Sequence, residues 1–139
     1  MNKQRLQALA NVLRNVPPVH FNLSCWRCNT NVKTEARHEN ATDEQLVEHY
    51  CGTTGCAIGW ACAMPEFQAQ GLVWNLARGV PELIQNGYKD TGWEAVQALF
   101  SISYREAQLL FLSDKYVDRS NTTPNQVADA IEAFIKEQP

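Results

Sequence analysis

Four capping boxes occur in this sequence and constrain its fold more than any other feature. In each box a Ser or Thr is followed three residues later by Glu or Gln, and the two side chains satisfy backbone N–H groups that a helix start leaves without partners. The boxes begin at Thr42, Thr91, Ser103 and Thr123. Because the chain also has almost no alternation of β-branched and polar residues, the sequence predicts a mostly α fold.

The N-terminal quarter predicts one helix followed by irregular chain. Apolar residues recur at three- and four-residue steps from Lys3 to Val16, which indicates an amphipathic helix. Pro17-Pro18 ends it, since prolines lack an N–H and restrict the preceding residue. The alternation in Val19–Leu23 predicts an extended segment, and the polar tract Ser24–Ala41 predicts a solvated loop.

The remaining segments are read as short helices around a single core. The predicted helices that follow the loop are Thr42–Tyr50, Cys56–Met64, Glu66–Leu72 after Pro65, a turn or two at Val80–Ile84, and helices after the boxes at Thr91, Ser103 and Thr123. No repeat or linker divides the chain. A chain of 139 residues can bury one core, so we expect residues 1–139 to form a single compact multi-helix domain.

Composition excludes several classes of protein. The chain is 45% hydrophobic and 19% charged, which is typical of a folded domain. Its net charge of −3 argues against a nucleic-acid binder that works by neutralising phosphates. No apolar run reaches the roughly 20 residues of a membrane-spanning helix, and no signal peptide is evident. We therefore expect a cytoplasmic protein without a membrane partner, whose cysteines are free, catalytic or metal-bound rather than disulfide-paired.

The stretch from Cys51 to Cys62 is the most unusual in composition. It holds three of the five cysteines and three of the seven glycines in twelve residues. Gly52 and Gly55 predict a tight turn before the helix that begins near Cys56. Gly59 lies inside that helix, and we interpret it as a gap that lets another helix approach closely.

A zinc site is one interpretation of the cysteines. Cys25-x-x-Cys28 followed by Cys51-x4-Cys56 is close to the four-thiolate pattern of a structural zinc ion. His20, His38 and His49 are near enough in sequence to replace one thiolate. The alternative interpretation is that these cysteines are buried thiols, because free cysteine behaves as a small hydrophobic residue.

A thiol enzyme is the second interpretation. Cys56 follows a glycine at a predicted helix start, where unpaired N–H groups lower a thiol pKa, and His49 could act as its base. No third residue is identifiable that would orient this pair. The alternative interpretation is a surface histidine on a helix and glycines that serve only the turn.

The sequence resembles a set of small, uncharacterised bacterial and phage proteins. The resemblance is carried by three segments in order: Phe21-Asn22-Leu23-x2-Trp26, Cys51-Gly52-Thr53-x2-Cys56-x2-Gly59-Trp60, and Leu99-Phe100-x-Ile102-Ser103-x3-Ala107-x2-Leu110-Phe111. It implies a compact helical domain, often phage-encoded, with no assigned activity. Asn22 departs from the acid usual in that set, and Cys25 and Cys28 are additions of this chain.

These observations favour a non-catalytic protein-binding accessory factor, encoded by a phage or mobile element and acting on a host protein. The expectation depends on the acidity, the small size and the lack of a complete catalytic set. Two alternatives stay open. One is a small thiol enzyme with Cys56 as nucleophile and His49 as base. The other is the same binding domain stabilised by structural zinc at Cys25, Cys28, Cys51 and Cys56.

Overall fold

A computed structural model describes residues 1–29, 53–117 and 121–138, in which six α-helices and five β-strands surround an apolar core. The helices are α1 (Lys3–Leu13), α2 (Ala57–Ala61), α3 (Pro65–Gln68), α4 (Trp93–Phe100), α5 (Tyr104–Phe111) and α6 (Pro124–Glu137). The strands are β1 (Arg27–Asn29), β2 (Thr53–Gly55), β3 (Leu72–Asn75), β4 (Val80–Gln85) and β5 (Tyr88–Thr91). None of the helices in these ranges combines the length and apolar character that crossing a membrane requires.

The predicted mostly α fold is wrong, because the chain is a mixed α/β domain. Strands β3, β4 and β5 form an antiparallel sheet in that order, in the region where sequence signals were weakest. Leu72, predicted as the end of a helix, begins β3, and Val80–Ile84, predicted as helical turns, belongs to β4. Leu72 pairs with Leu83, and both side chains are buried in the core.

A two-residue turn explains why this segment forms a hairpin. Gln85 pairs with Tyr88, so only Asn86 and Gly87 connect β4 to β5. Both have positive φ, 51° and 80°, as the turns that match strand twist require. Asn-Gly is the strongest short-range hairpin signal in a sequence, and residues 86 and 87 carry it. Pro81 inside β4 obscured the strand, because proline is unusual in the middle of a sheet.

The capping-box predictions have three different outcomes. The boxes at Ser103–Glu106 and Thr123–Gln126 are confirmed, with both reciprocal hydrogen bonds present at the starts of α5 and α6. The box at Thr91 is wrong: Thr91 ends β5, and Gly92 at φ 59° is the N-cap of α4 without a side-chain bond. The box at Thr42 and its predicted helix lie outside the described residues.

The predicted N-terminal helix is confirmed and ends slightly earlier, at Leu13. Helix α1 packs most extensively on α6, and its Arg14 bridges to Asp129 (2.7 Å) and Glu132 (3.0 Å). These ion pairs are exposed, so most of the stability of this helix pair comes from the apolar side chains between them. Helix α4 contacts α1 as well as strands β4 and β5, and so connects the helices to the sheet.

Two glycines in the hairpin region give a matched test of this architecture. Gly71 (φ 98°) and Gly87 (φ 80°) share a left-handed backbone, but only at Gly71 would a Cβ overlap another group, the Ile84 carbonyl oxygen. We expect Gly71→Ala to lower the free energy of unfolding by about 2 kcal/mol more than Gly87→Ala. Urea unfolding of both variants checks this, and equal losses would contradict the close approach of Gly71 to β4.

Candidate functional site

Strands β1 and β2 bring residues 22–27 against the start of α2. Arg27 pairs with Gly55 in the two-stranded ladder. On either side of it, the Asn22 N–H donates to the Gly55 carbonyl (3.1 Å) and the Cys56 N–H donates to the Trp26 carbonyl (3.0 Å). The tight turn predicted at Gly55 is therefore a strand, and the solvated loop predicted from Ser24 contains β1.

Gly59 is the point where α2 touches the β1 segment. A Cβ at this position would overlap the Trp26 carbonyl oxygen and lie 3.1 Å from the Arg27 Cγ. The interpretation that Gly59 allows the close approach of a neighbouring element agrees with the structure. The neighbour, however, is the backbone before a strand rather than a second helix.

Arg27 is the charged residue that sequence reasoning missed. Its side chain is 0% exposed, and its Nε and Nη2 donate to the Gly59 carbonyl at 3.0 and 2.9 Å. The guanidinium carbon also lies 4.6 Å from the centre of the Trp74 ring, which is a cation–π contact. No local pattern distinguishes this arginine from a surface residue, because its burial depends on residues that are distant in the sequence.

A small cleft opens beside this contact, and we call it the Trp26–Trp93 cleft. Its volume is about 210 Å³. The lining residues come from the 23–26 segment, the start of α2, the start of α4 and the end of α5: Leu23, Ser24, Cys25, Trp26, Cys56, Trp93, Phe111 and Leu112. The two indole rings lie 5.2 Å apart at 57°, and Tyr104 packs edge-on to Trp93 at 6.2 Å. The site is thus mainly aromatic and aliphatic.

A second depression is lined in part by the same segment. Ser24, Cys25 and Trp26 line both hollows, and the turn before β4, including Arg78, completes the second one. Its volume is about 460 Å³, and its lining is more polar. Residues 24–26 therefore form a wall shared by two surface hollows.

Cys56, the proposed nucleophile, is a buried helix cap. It is 4% exposed, and its Sγ accepts the Gly59 N–H at 3.4 Å as the N-cap of α2. Burial raises the pKa of this thiol to about 11, although the Gly59 N–H and the positive Arg27 oppose that change. At pH 7, roughly one molecule in ten thousand carries the thiolate. The helix start is present as predicted and its N–H groups lower the pKa of the thiol, but desolvation of the buried sulfur raises the pKa by more.

The other predicted site residues are only partly brought together. Cys25 and Cys56 line the same cleft, whereas the Cys28 side chain, Cys51, His38 and His49 lie outside the described structure. Cys25 is in a disulfide, contrary to the expectation of reduced cysteines, while Cys56 and Cys62 are not disulfide-bonded.

The zinc interpretation stays a prediction. Among the described side chains, no three His, Cys, Asp or Glu residues are placed to hold a metal ion, but those side chains do not include Cys28 and Cys51. A disulfide sulfur is not a thiolate, so such a site would require Cys25 to be reduced. The backbone of His20, a proposed substitute ligand, accepts a bond from the Trp60 indole at 3.0 Å.

Replacement of Gly59 tests the contact that shapes this region. Alanine improves helix propensity by about 1 kcal/mol, but its Cβ must displace the Trp26 carbonyl. We expect Gly59→Ala to lower the free energy of unfolding by about 1–3 kcal/mol net. Gln4→Ala, on the exposed face of α1, is the control and should change it by less than about 0.5 kcal/mol. Urea unfolding measures both, and a neutral Gly59→Ala would contradict the contact.

The reactivity of Cys56 tests the thiol-enzyme alternative. In Cys62→Ala protein, which removes the second reduced cysteine that the described part of the chain contains, we expect alkylation of Cys56 in the folded state to rise about tenfold per pH unit from pH 7. The midpoint should lie near pH 11, because burial raises the pKa of Cys56 to about 11. Iodoacetamide labelling followed by mass spectrometry gives the profile. A midpoint below about pH 8 would show that the thiol is activated and would support the thiol-enzyme alternative.

Comparisons of the chain with protein-family models, with curated proteins and with solved structures give no match.

Proposed function

We propose that this chain is a non-catalytic protein-binding domain whose Trp26–Trp93 cleft receives one bulky apolar side chain of a partner protein. The observation that carries the proposal is the cleft itself, in which two tryptophans and two leucines surround a hollow at the surface. Tryptophan is the residue type most enriched among the few contacts that dominate protein–protein binding.

The size of the cleft favours a side chain over a cofactor. Sites for drug-sized ligands and cofactors have volumes of roughly 300–1,000 Å³, and this cleft has about 210 Å³. A single large apolar side chain is the kind of group that such a volume accommodates. Burial of that side chain would contribute about 1.5–3 kcal/mol of binding free energy.

The walls of the cleft are held before any partner arrives. The Trp26 carbonyl accepts the Cys56 N–H, and Trp93 is the first residue of α4, where it packs against Tyr104. Rings that are already fixed lose little conformational entropy on binding, which strengthens an interface of limited area.

The thiol-enzyme alternative receives less support. Its nucleophile would be Cys56, whose raised pKa leaves it protonated at neutral pH, and its base would be His49. The other alternative, a binding domain stabilised by structural zinc at Cys25, Cys28, Cys51 and Cys56, is compatible with the binding role. Metal analysis of protein purified under reducing conditions decides it, and less than about one zinc per chain would contradict it.

The proposed setting follows from the resemblance to small phage and bacterial proteins. We place the domain in the cytoplasm as an accessory factor of a phage or mobile element, with a host protein as the partner. Its net negative charge favours a protein over a nucleic acid as that partner.

Two leucines at the end of α5 provide a matched test of the cleft. Leu112 lines it, whereas Leu109 is 54% exposed and does not. We would select binders from a displayed random-peptide library against the wild-type protein. We expect peptides that share one bulky apolar residue, and we expect Leu112→Glu to weaken their binding at least about tenfold. Leu109→Glu should leave the affinity unchanged.

The same experiment can contradict the proposal. Thermal unfolding first confirms that both variants are folded. The proposal fails if selected peptides bind Leu112→Glu as tightly as wild type, or if changing their shared apolar residue to Ser leaves the affinity intact. It also fails if the selection returns no binder to the wild-type protein.

A further inference from the structure

The wall of the Trp26–Trp93 cleft contains a disulfide that no step of the proposed function uses. Cys25 is disulfide-bonded and lines both the cleft and the neighbouring hollow. Cys56 and Cys62 are not disulfide-bonded, so neither is its partner. A covalent link therefore holds the middle of a segment whose side chains form one side of the cleft.

The backbone hydrogen bonds that join this segment to other described elements lie at its two ends. The Asn22 N–H donates to the Gly55 carbonyl, and the Trp26 carbonyl accepts the Cys56 N–H. Between them, the Ser24 N–H bonds only locally, to the Asn22 Oδ1 at 2.9 Å, and Leu23 is held by burial of its side chain. In the described part of the chain, Leu23 and Ser24 form no backbone hydrogen bond to another element. In the described part of the chain, the centre of the wall is therefore held by the buried Leu23 side chain and by the disulfide at Cys25.

We propose that this disulfide is a redox switch for the cleft: the oxidised form holds residues 22–26 in the binding geometry, and reduction releases them. What the switch controls rests on the proposed function, whereas the tether itself does not. Loss of a restraint on a binding surface weakens affinity, because binding must then order the released segment at a cost in conformational entropy.

The reductant comes from outside the described thiols. Cys56 lines the same cleft, but its buried thiol caps α2 and is protonated at neutral pH. We assign the role to an external dithiol. One of its thiolates attacks the disulfide, forms a mixed disulfide and expels one cysteine of the chain. Its second thiol then expels the other cysteine. The reductant leaves as a disulfide, and the chain gains two electrons and two protons.

Amide exchange measures the tether without any partner. The Asn22 and Cys56 amides report the two bonds at the ends of the wall, and the Ile131 amide in α6 reports the rest of the fold. We expect reduction of the wild-type protein to accelerate exchange at Asn22 and Cys56 about tenfold, as local opening becomes easier, with Ile131 unchanged. Unchanged exchange at Asn22 and Cys56 would overturn the switch. Equal acceleration at Ile131 would also overturn it, because the disulfide would then stabilise the whole domain.

Cysteine variants identify the second sulfur and control for the reductant. Cys25→Ser should show the fast exchange of the reduced protein and ignore added reductant, whereas Cys62→Ala should respond like wild type. One of Cys28→Ser and Cys51→Ser should reproduce Cys25→Ser. If neither does, the disulfide does not form within one chain and the proposal fails.

The link to binding is tested separately with a selected peptide. We expect the oxidised protein to bind it at least about tenfold more tightly than the reduced protein. Equal affinities, together with faster exchange after reduction, would overturn the switch as a control of binding. If no peptide binds at all, the exchange data still decide the tether, and only the proposed function fails.

Discussion

The approach of Gly59 to the Trp26 carbonyl is the constraint on which the candidate site depends. Because residue 59 has no Cβ, α2 can lie directly on the segment before β1. The Gly59 carbonyl can then accept hydrogen bonds from Nε and Nη2 of Arg27. The same approach lets the Trp26 carbonyl receive the Cys56 N–H, which fixes the wall of the cleft. A buried arginine is costly unless its donors are satisfied, so this contact and the burial of Arg27 depend on each other.

That geometry also decides the chemistry available to Cys56. A cysteine at a helix start can be activated, since the N–H groups there favour the thiolate. In this chain the Gly59 N–H and Arg27 do lower its pKa, but the packing that brings them close also removes water from the sulfur. Desolvation is the larger effect, so the pKa rises. The helix start that made Cys56 a candidate nucleophile is present, but burial of the thiol decides its protonation at neutral pH.

What the sequence could predict is what neighbouring residues determine. The boxes at Ser103 and Thr123 were read correctly because each requires only four residues in order. Thr91 fits the same pattern and failed, because pairing with Glu82 places it in a strand. The sheet is predictable in part from Asn86-Gly87, because an Asn-Gly pair is a local signal for a hairpin. The burial of Arg27 is not predictable from the sequence, because its partners Gly59 and Trp74 are far away in the chain.

The candidate site follows the same division between local and distant information. Gly59 has the packing role that its position in an apolar helix predicts, although its neighbour is the Trp26 carbonyl rather than a second helix. The cleft beside this contact was missed, because Trp26, Trp93 and Leu112 come from three separate parts of the chain. None of them is unusual in its own sequence context. A surface that is assembled from distant residues exists only in the folded chain. A search for local motifs therefore identifies Gly59, which positions the wall of the cleft, but not the residues that line the cleft.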